Sequence, residues 1–208
     1  GKVNFGGGGG SGGLGSLSKK YESGSAGAGT IANNGGDWGG WSYGTYQIAT
    51  NTGTMKSFLS YLRGANSKIF GGLAGKSPGS SVFNRSWKEL ARRFPKEFEQ
   101  VQHNFIKRSH YDPVVSKVAN GIGLNVNNRS SALQNVVWSM GVQHGSGGAY
   151  NIFKAAGISS GMSDATIIKR LYNERMKVSK YFSRSSSAIR NGVYRRFQNE
   201  LRDALNML

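Results

Sequence analysis

Ser130-Ser131-Ala132-Leu133-Gln134-Asn135-Val136-Val137-Trp138-Ser139-Met140-Gly141-Val142-Gln143-His144 leaves little polar surface on any side of a helix. Leu133, Val136, Val137, Trp138, Met140 and Val142 cover most of its circumference, so the stretch reads as a central buried helix. Gly145 is placed to stop it. Outward from this helix the chain keeps a helical period. A shorter helix is expected over 148–156 and another from an N-cap at Ser163 to Lys177. In a last amphipathic segment Ile189, Val193, Phe197, Leu201 and Leu205 recur every four residues. Upstream, Met55, Phe58, Leu59 and Leu62 form one face ended by Gly64, and 69–81 reads as loop. Trp87, Leu90, Ala91 and Phe94 form a second face stopped by Pro95. Phe98, Val101, Phe105 and Ile106 form a third, and Val114, Val115 and Val118 follow a helix-starting Pro113.

Before residue 50 the pattern changes. Leu14, Leu17 and Tyr21 predict a short helix that stops near Glu22, because Gly24 follows. Residues 24–44 contain eight glycines and read as turns, with strands at 30–32 and 42–48 forming a small hairpin. Residues 6–13 hold seven glycines and one serine, a flexible-linker composition. The expected fold is therefore mainly α with a small β-hairpin, its helices wrapped around the buried central helix. Residues 1–13 are expected to be a linker or tail to an N-terminal module, and residues 14–208 the folded domain.

Bulk properties narrow the functional classes. The chain carries 27 Lys and Arg against 10 Asp and Glu, a net charge of +17, which draws it to polyanions. Nucleic acid, an anionic membrane and an anionic bacterial wall all satisfy that charge. No nucleic-acid-binding signature accompanies it, so no specific nucleic acid is expected. The absence of cysteine excludes disulfides, a zinc ribbon and a thiol nucleophile. No apolar run approaches the roughly 20 residues that cross a bilayer, and Gly1-Lys2-Val3-Asn4-Phe5 lacks the apolar core of a signal peptide.

Acidic residues are scarce, which gives weight to Glu22 in Tyr21-Glu22-Ser23-Gly24. A carboxylic acid just past a short helix, followed by an aromatic, amide-bearing strand, can protonate a glycosidic oxygen. The plainer reading is a solvated helix-end glutamate. Trp38, Trp41, Tyr43 and Tyr46 offer flat faces for sugar rings, and Gln47 offers a donor and an acceptor, although an aromatic hairpin packed on a core uses the same residues. Asp37, fifteen residues after Glu22, reads either as a base that orients water or as a turn residue. Gln143 and His144 end the central helix where a side chain reaches a cleft. His103, His110 and Asp112 lack tight ligand spacing, so neither a metal nor another cofactor is expected. Glu89, Glu97, Glu99, Glu174, Glu200 and Asp203 lie among basic helical residues and read as solvated ion-pair partners.

Glu22-Ser23-Gly24 followed by Ser42-Tyr43-Gly44-Thr45-Tyr46-Gln47-Ile48 resembles the lysozyme-like superfamily, in its lytic transglycosylase and goose-type branches. Ala149-Tyr150-Asn151 is similar to that family's third motif, and 137–145 resembles bacteriophage and bacterial wall-lysozyme domains. Thr45 and Tyr46 depart from the apolar pair that the family places before its Gln. The resemblance implies a peptidoglycan-degrading glycosidase that cleaves the β-1,4 bond between N-acetylmuramic acid (MurNAc) and N-acetylglucosamine (GlcNAc), with Glu22 as general acid and Asp37 beside it. It implies Ser42, Tyr43, Tyr46, Gln47, Gln143, His144 and Tyr150 as substrate contacts. It also implies a phage lysin, virion-associated or released at host lysis, acting on bacterial peptidoglycan and held by anionic wall polymers through the basic surface. The alternatives are a lytic transglycosylase giving 1,6-anhydro products and a non-catalytic wall- or nucleic-acid-binding module.

Overall fold

The computed structural model describes residues 13–24, 26–33 and 40–208. Most of the expected linker and Asp37 and Trp38 thus lie outside the described residues. Helix α1 (Ser16–Glu22) leads to three short antiparallel strands, β1 (Ile31–Asn33), β2 (Trp41–Tyr43) and β3 (Ile48–Ala49). Strand β2 lies in the middle, with Asn33 opposite Trp41 and Tyr43 opposite Ile48. Then come α2 (Thr54–Ala65), α3 (Ser67–Leu73), α4 (Ser81–Arg93) and α5 (Pro95–Ile106). A π-helical turn (Lys107–Tyr111) passes into α6 (Asp112–Ile122), followed by a 3₁₀ turn (Val126–Asn128). The chain continues as α7 (Ser131–Ala155), α8 (Asp164–Arg175), α9 (Val178–Tyr181) and α10 (Ser187–Asn206).

Local chemistry sets many of these boundaries. The side chains of Asn66, Ser80, Ser130, Ser163 and Ser186 each accept a backbone N–H three residues on, capping α3, α4, α7, α8 and α10. Pro95 stands in the first turn of α5, where its missing donor is harmless.

Cα packing divides the described residues into two units: those within Lys19–Lys107, and residues 13–18 together with Arg108–Leu208. The first holds the sheet and α2–α5 around an aromatic core of Tyr43, Phe58, Phe83, Trp87 and Phe98, all fully buried. The Trp87 ring sits 4.6 Å from Phe98 and 5.1 Å from Tyr43 between centroids. The second unit is built on α7, which packs against α6, α8 and α10. Leu133, Val136, Val137, Trp138 and Met140 of α7 are fully buried, as their pattern implies. Asn135 on the same helix holds the start of α1: its Oδ1 accepts the amides of Gly15 at 3.0 Å and Leu17 at 3.3 Å.

Three details differ from the expectation. The hairpin is a three-stranded sheet, because residues 44–47 form a turn: Gly44 (φ 82°) and Gln47 (φ 54°) leave the extended region. Residues 69–73, read as the start of a loop, belong to α3, which buries Ile69 and Leu73. At Gly145 (φ 71°, ψ 167°) the outcome follows the expectation: the residue leaves the helical region there, and a second helical run continues to Ala155. In α10 the buried face is Phe197, Glu200 and Ala204, while Ile189 is exposed. A strict four-residue repeat drifts about 40° per step around an α-helix, so Ile189 and Leu205 do not share one face.

Candidate functional site

Glu22 is half-buried at the end of α1. The chain turns immediately after it, with the amides of Ser23 and Gly24 both donating to Lys19 O at 3.1 and 3.0 Å. The segment beyond is fixed from behind. Ala28 O accepts Trp87 Nε1 at 2.8 Å and Gln102 Nε2 at 3.2 Å, and Thr30 O accepts the Gly44 amide at 2.7 Å. The other end of the Gln102 amide serves the turn: its Oε1 accepts Thr45 N–H at 3.0 Å. A Cβ on Gly44 would stand 2.2 Å from that oxygen, so only glycine admits the contact.

Glu99 makes a second tie. Its Oε1 lies 3.1 Å from Lys19 Nζ, and its Oε2 accepts the Thr45 hydroxyl. Lys19 is one helical turn before Glu22. The sequence Lys19–Glu99–Thr45 therefore connects the helix bearing Glu22 to the turn bearing Gln47. Tyr46 follows, its hydroxyl 3.1 Å from His103 Nδ1. Burial pushes the Tyr46 phenol up, with the Glu99 charge adding to it. Burial pushes His103 below its ordinary value, against the opposing pull of Glu99.

Ser42 and Tyr43 lie on β2 and are buried. The Tyr43 hydroxyl donates to Asn84 Oδ1 at 2.5 Å and accepts Gly79 N–H at 2.8 Å. Gln47 is half-buried in a left-handed conformation, unusual for a side-chain-bearing residue, and its Nε2 donates to Gly44 O at 2.9 Å. Glu22, Ser42, Tyr43, Tyr46 and Gln47 thus belong to one unit, with Trp41 half-buried at the start of β2.

Gln143, His144 and Tyr150 belong to the other unit. His144 Nε2 accepts Arg175 Nε–H at 3.0 Å, and its ring lies among Tyr181, Phe182 and Phe197. Burial, then the charges of Arg175 and Arg196, press its pKa down to about 2. Arg175 is fully buried, 3.2 Å from Glu200 Oε1, with its guanidinium 4.1 Å from the Phe197 ring centroid. Glu200 also accepts the hydroxyls of Ser139 and Tyr172, the latter at 2.6 Å, and Arg196 Nε at 3.1 Å. Burial alone would raise the Glu200 carboxyl, but the two arginines and these donors hold it below its ordinary value. Tyr150 lies under Lys154 Nζ, 4.7 Å from its ring centroid.

Glu200 is therefore no solvated partner: its side chain is fully buried with Arg175. Glu174 is nearly buried as well, tied to Lys177, Lys180 and Tyr181. Sequence reasoning also passed over Gln102 and treated Glu99 as a surface charge. Gln102 carried a signal, since it falls on the apolar stripe of Phe98, Val101, Phe105 and Ile106 and is itself fully buried. A polar side chain on such a stripe needs a partner inside.

Comparison with known proteins resolves the family. A solved structure titled "Chitosanase complex structure" superposes with a TM-score of 0.59 over 79% of this chain and 76% of that one, at 20% identity. That likeness concerns the fold alone. The "Type VI secretion system spike protein VgrG3" of Vibrio cholerae serotype O1 is 38% identical over 128 residues, which is 62% of this chain and 12% of that protein. Residues 14–201 match the family described as "Type VI secretion system spike protein VgrG3-like, C-terminal". These matches overturn the lysozyme-like superfamily assignment drawn from Glu22-Ser23-Gly24 and Ser42–Ile48, and with it the setting of a phage lysin carried on a virion or released at host lysis. The short motifs were shared without the family. The chain belongs to the C-terminal domains of VgrG3-like spike proteins of the Type VI secretion system.

Proposed function

We propose that this domain is a peptidoglycan-cleaving glycosidase that cuts the β-1,4 bond between MurNAc and GlcNAc, with Glu22 as general acid. The observation that carries the reading is the double tie around Glu22. Lys19–Glu99–Thr45 links its helix to the turn of Gln47, and Gln102 braces the segment that follows it. A general acid must be held in register with the sugar it protonates, and this scaffold supplies that rigidity. The likeness in fold to a protein named chitosanase supports a glycan substrate.

Asp37, in the connection from β1 to β2, is the proposed second carboxylate, orienting water on the opposite face of the sugar. An inverting arrangement needs roughly 6.5–9.5 Å between two such carboxyls. Gln47, half-buried, contacts the sugar, while the buried Ser42, Tyr43 and Tyr46 hold the strand and turn in place. The charge of +17 favours approach to anionic wall polymers. The family description supports a domain carried on a secretion spike; action on a bacterial wall and tethering through the glycine-rich segment 6–13 belong to the proposal.

The test is digestion of purified sacculi with the wild type, E22Q and D37N, followed by mass spectrometry of the muropeptides. New reducing ends from the wild type, and a loss of about 100-fold or more in E22Q, are expected. Cleavage by E22Q at the wild-type rate removes Glu22 from the reaction, and 1,6-anhydro ends assign Glu22 to an intramolecular transfer without an Asp37 base.

A further inference from the structure

Beside the segment that follows Glu22, the unit Lys19–Lys107 has a concavity of about 500 Å³, within the range of ligand sites. Ala26, Ala28 and Ala91 line it with methyl groups beside the bare backbone of Gly29, and Arg92, Lys96 and Glu99 supply its charge. Among the described residues its lining includes no aromatic ring and no side-chain amide, the groups that stack on a sugar and bind its hydroxyl pairs. The chemistry fits a different occupant. Small apolar walls accept alanine-sized side chains, and two cations accept carboxylates.

The three charges are not equally engaged. Arg92 is held by Glu89, with contacts of 2.6 and 3.0 Å, and Glu99 by Lys19 and Thr45. Lys96 is exposed and makes no ion pair among the described residues. A carboxylate also has about four acceptor sites, so Glu99 keeps capacity for a ligand ammonium. Through Glu99 the concavity joins the Lys19–Glu99–Thr45 tie, which places it beside the scaffold of Glu22.

We propose that this concavity binds the stem peptide of the glycan strand: a short acidic peptide with small side chains, its carboxylates on Lys96 and Arg92 and its amino group on Glu99. The proposal rests on the glycosidase reading and deepens it, making the substrate a peptide-bearing strand in preference to a naked one.

Two measurements on the full chain test it. The first compares cleavage of sacculi with cleavage of strands stripped of peptide by an amidase, for the wild type and K96E. Lys96 lies in the first turn of α5, where glutamate is well tolerated, so the fold should survive. K96E is expected to lower the ratio of peptide-bearing to stripped-strand kcat/KM about tenfold, the scale of one lost charge-assisted contact. An unchanged ratio overturns the proposal. The second titrates a free L-Ala–γ-D-Glu–diaminopimelate–D-Ala tetrapeptide into E22Q by NMR. Shifts at the amides of Ala28, Gly29 and Ala91 that vanish in K96E are expected. Their absence, or the same shifts from a peptide-free chitooligosaccharide, overturns the proposal. If the wild type cleaves neither substrate, it is the glycosidase reading that fails, and the titration still decides on the peptide site.

Discussion

Gln102 accepts the amide hydrogen of Thr45 at 3.0 Å across 57 residues of sequence, in a fully buried bond. The same side chain reaches Ala28 O with its other end, so one amide group joins the segment before β1 to the turn between β2 and β3. Q102L keeps the bulk and leaves the Thr45 N–H buried without a partner. It is expected to cost about 1–3 kcal/mol, read as a lowered midpoint in urea unfolding.

Two glycines separate backbone strain from close approach. Gly44 and Gly53 have nearly the same positive φ, 82° and 80°, but a Cβ at Gly53 would meet nothing within 4 Å. G53A should lose about 1 kcal/mol from conformation alone. G44A must also displace Gln102 and is expected to lose clearly more. Equal losses in calorimetry would show that the Gln102 contact relaxes freely.

The Arg175–Glu200 pair is fully buried, with Glu200 serving four donors. E200Q leaves the Arg175 charge uncompensated and is expected to cost about 3–5 kcal/mol by chemical denaturation. The double variant R175M/E200Q should be less destabilised than the sum of its singles, because the stranded charge is gone.

His144 gives stability a dependence on pH. Its folded pKa, about 2, lies below the ordinary histidine value of 6.5. Between those values the unfolded chain takes up a proton that the folded chain refuses, so stability falls as pH drops below about 6.5. H144Q preserves an acceptor for Arg175 and cannot be protonated. Its melting temperature is expected to change less between pH 7 and pH 5 than that of the wild type. Parallel curves for the two proteins would remove His144 as the cause.

Periodicity made the helical half of this architecture legible. The apolar wrap of 133–140 marked a buried helix, and Gly24 after Tyr21-Glu22 marked the end of α1. Turn geometry was harder to see. Ser42 to Ile48 has the aromatics of a strand, yet Gly44 and Gln47 bend it at positive φ, which composition alone does not reveal. Buried charge was hidden for a related reason. Glu200 lies among basic residues like a surface acid, and only the arrival of Arg175 from α8 and Ser139 from α7 makes its burial tolerable. Within the site, Glu99 gains its place from Lys19, 80 residues away, a contact that local spacing does not encode.

The buried Arg175–Glu200 network also sets an order of events during synthesis. Arg175 comes off the ribosome well before α10, and its counter-ion Glu200 stands in the last turns of that helix. Until α10 exists, closing α8 onto α7 would trap a guanidinium among apolar side chains with no carboxylate to meet it. Docking of α8 onto α7 therefore carries a penalty for as long as Glu200 is missing. That cost is lifted only once translation has passed residue 200, and no oxidant is needed, since the chain has no cysteine.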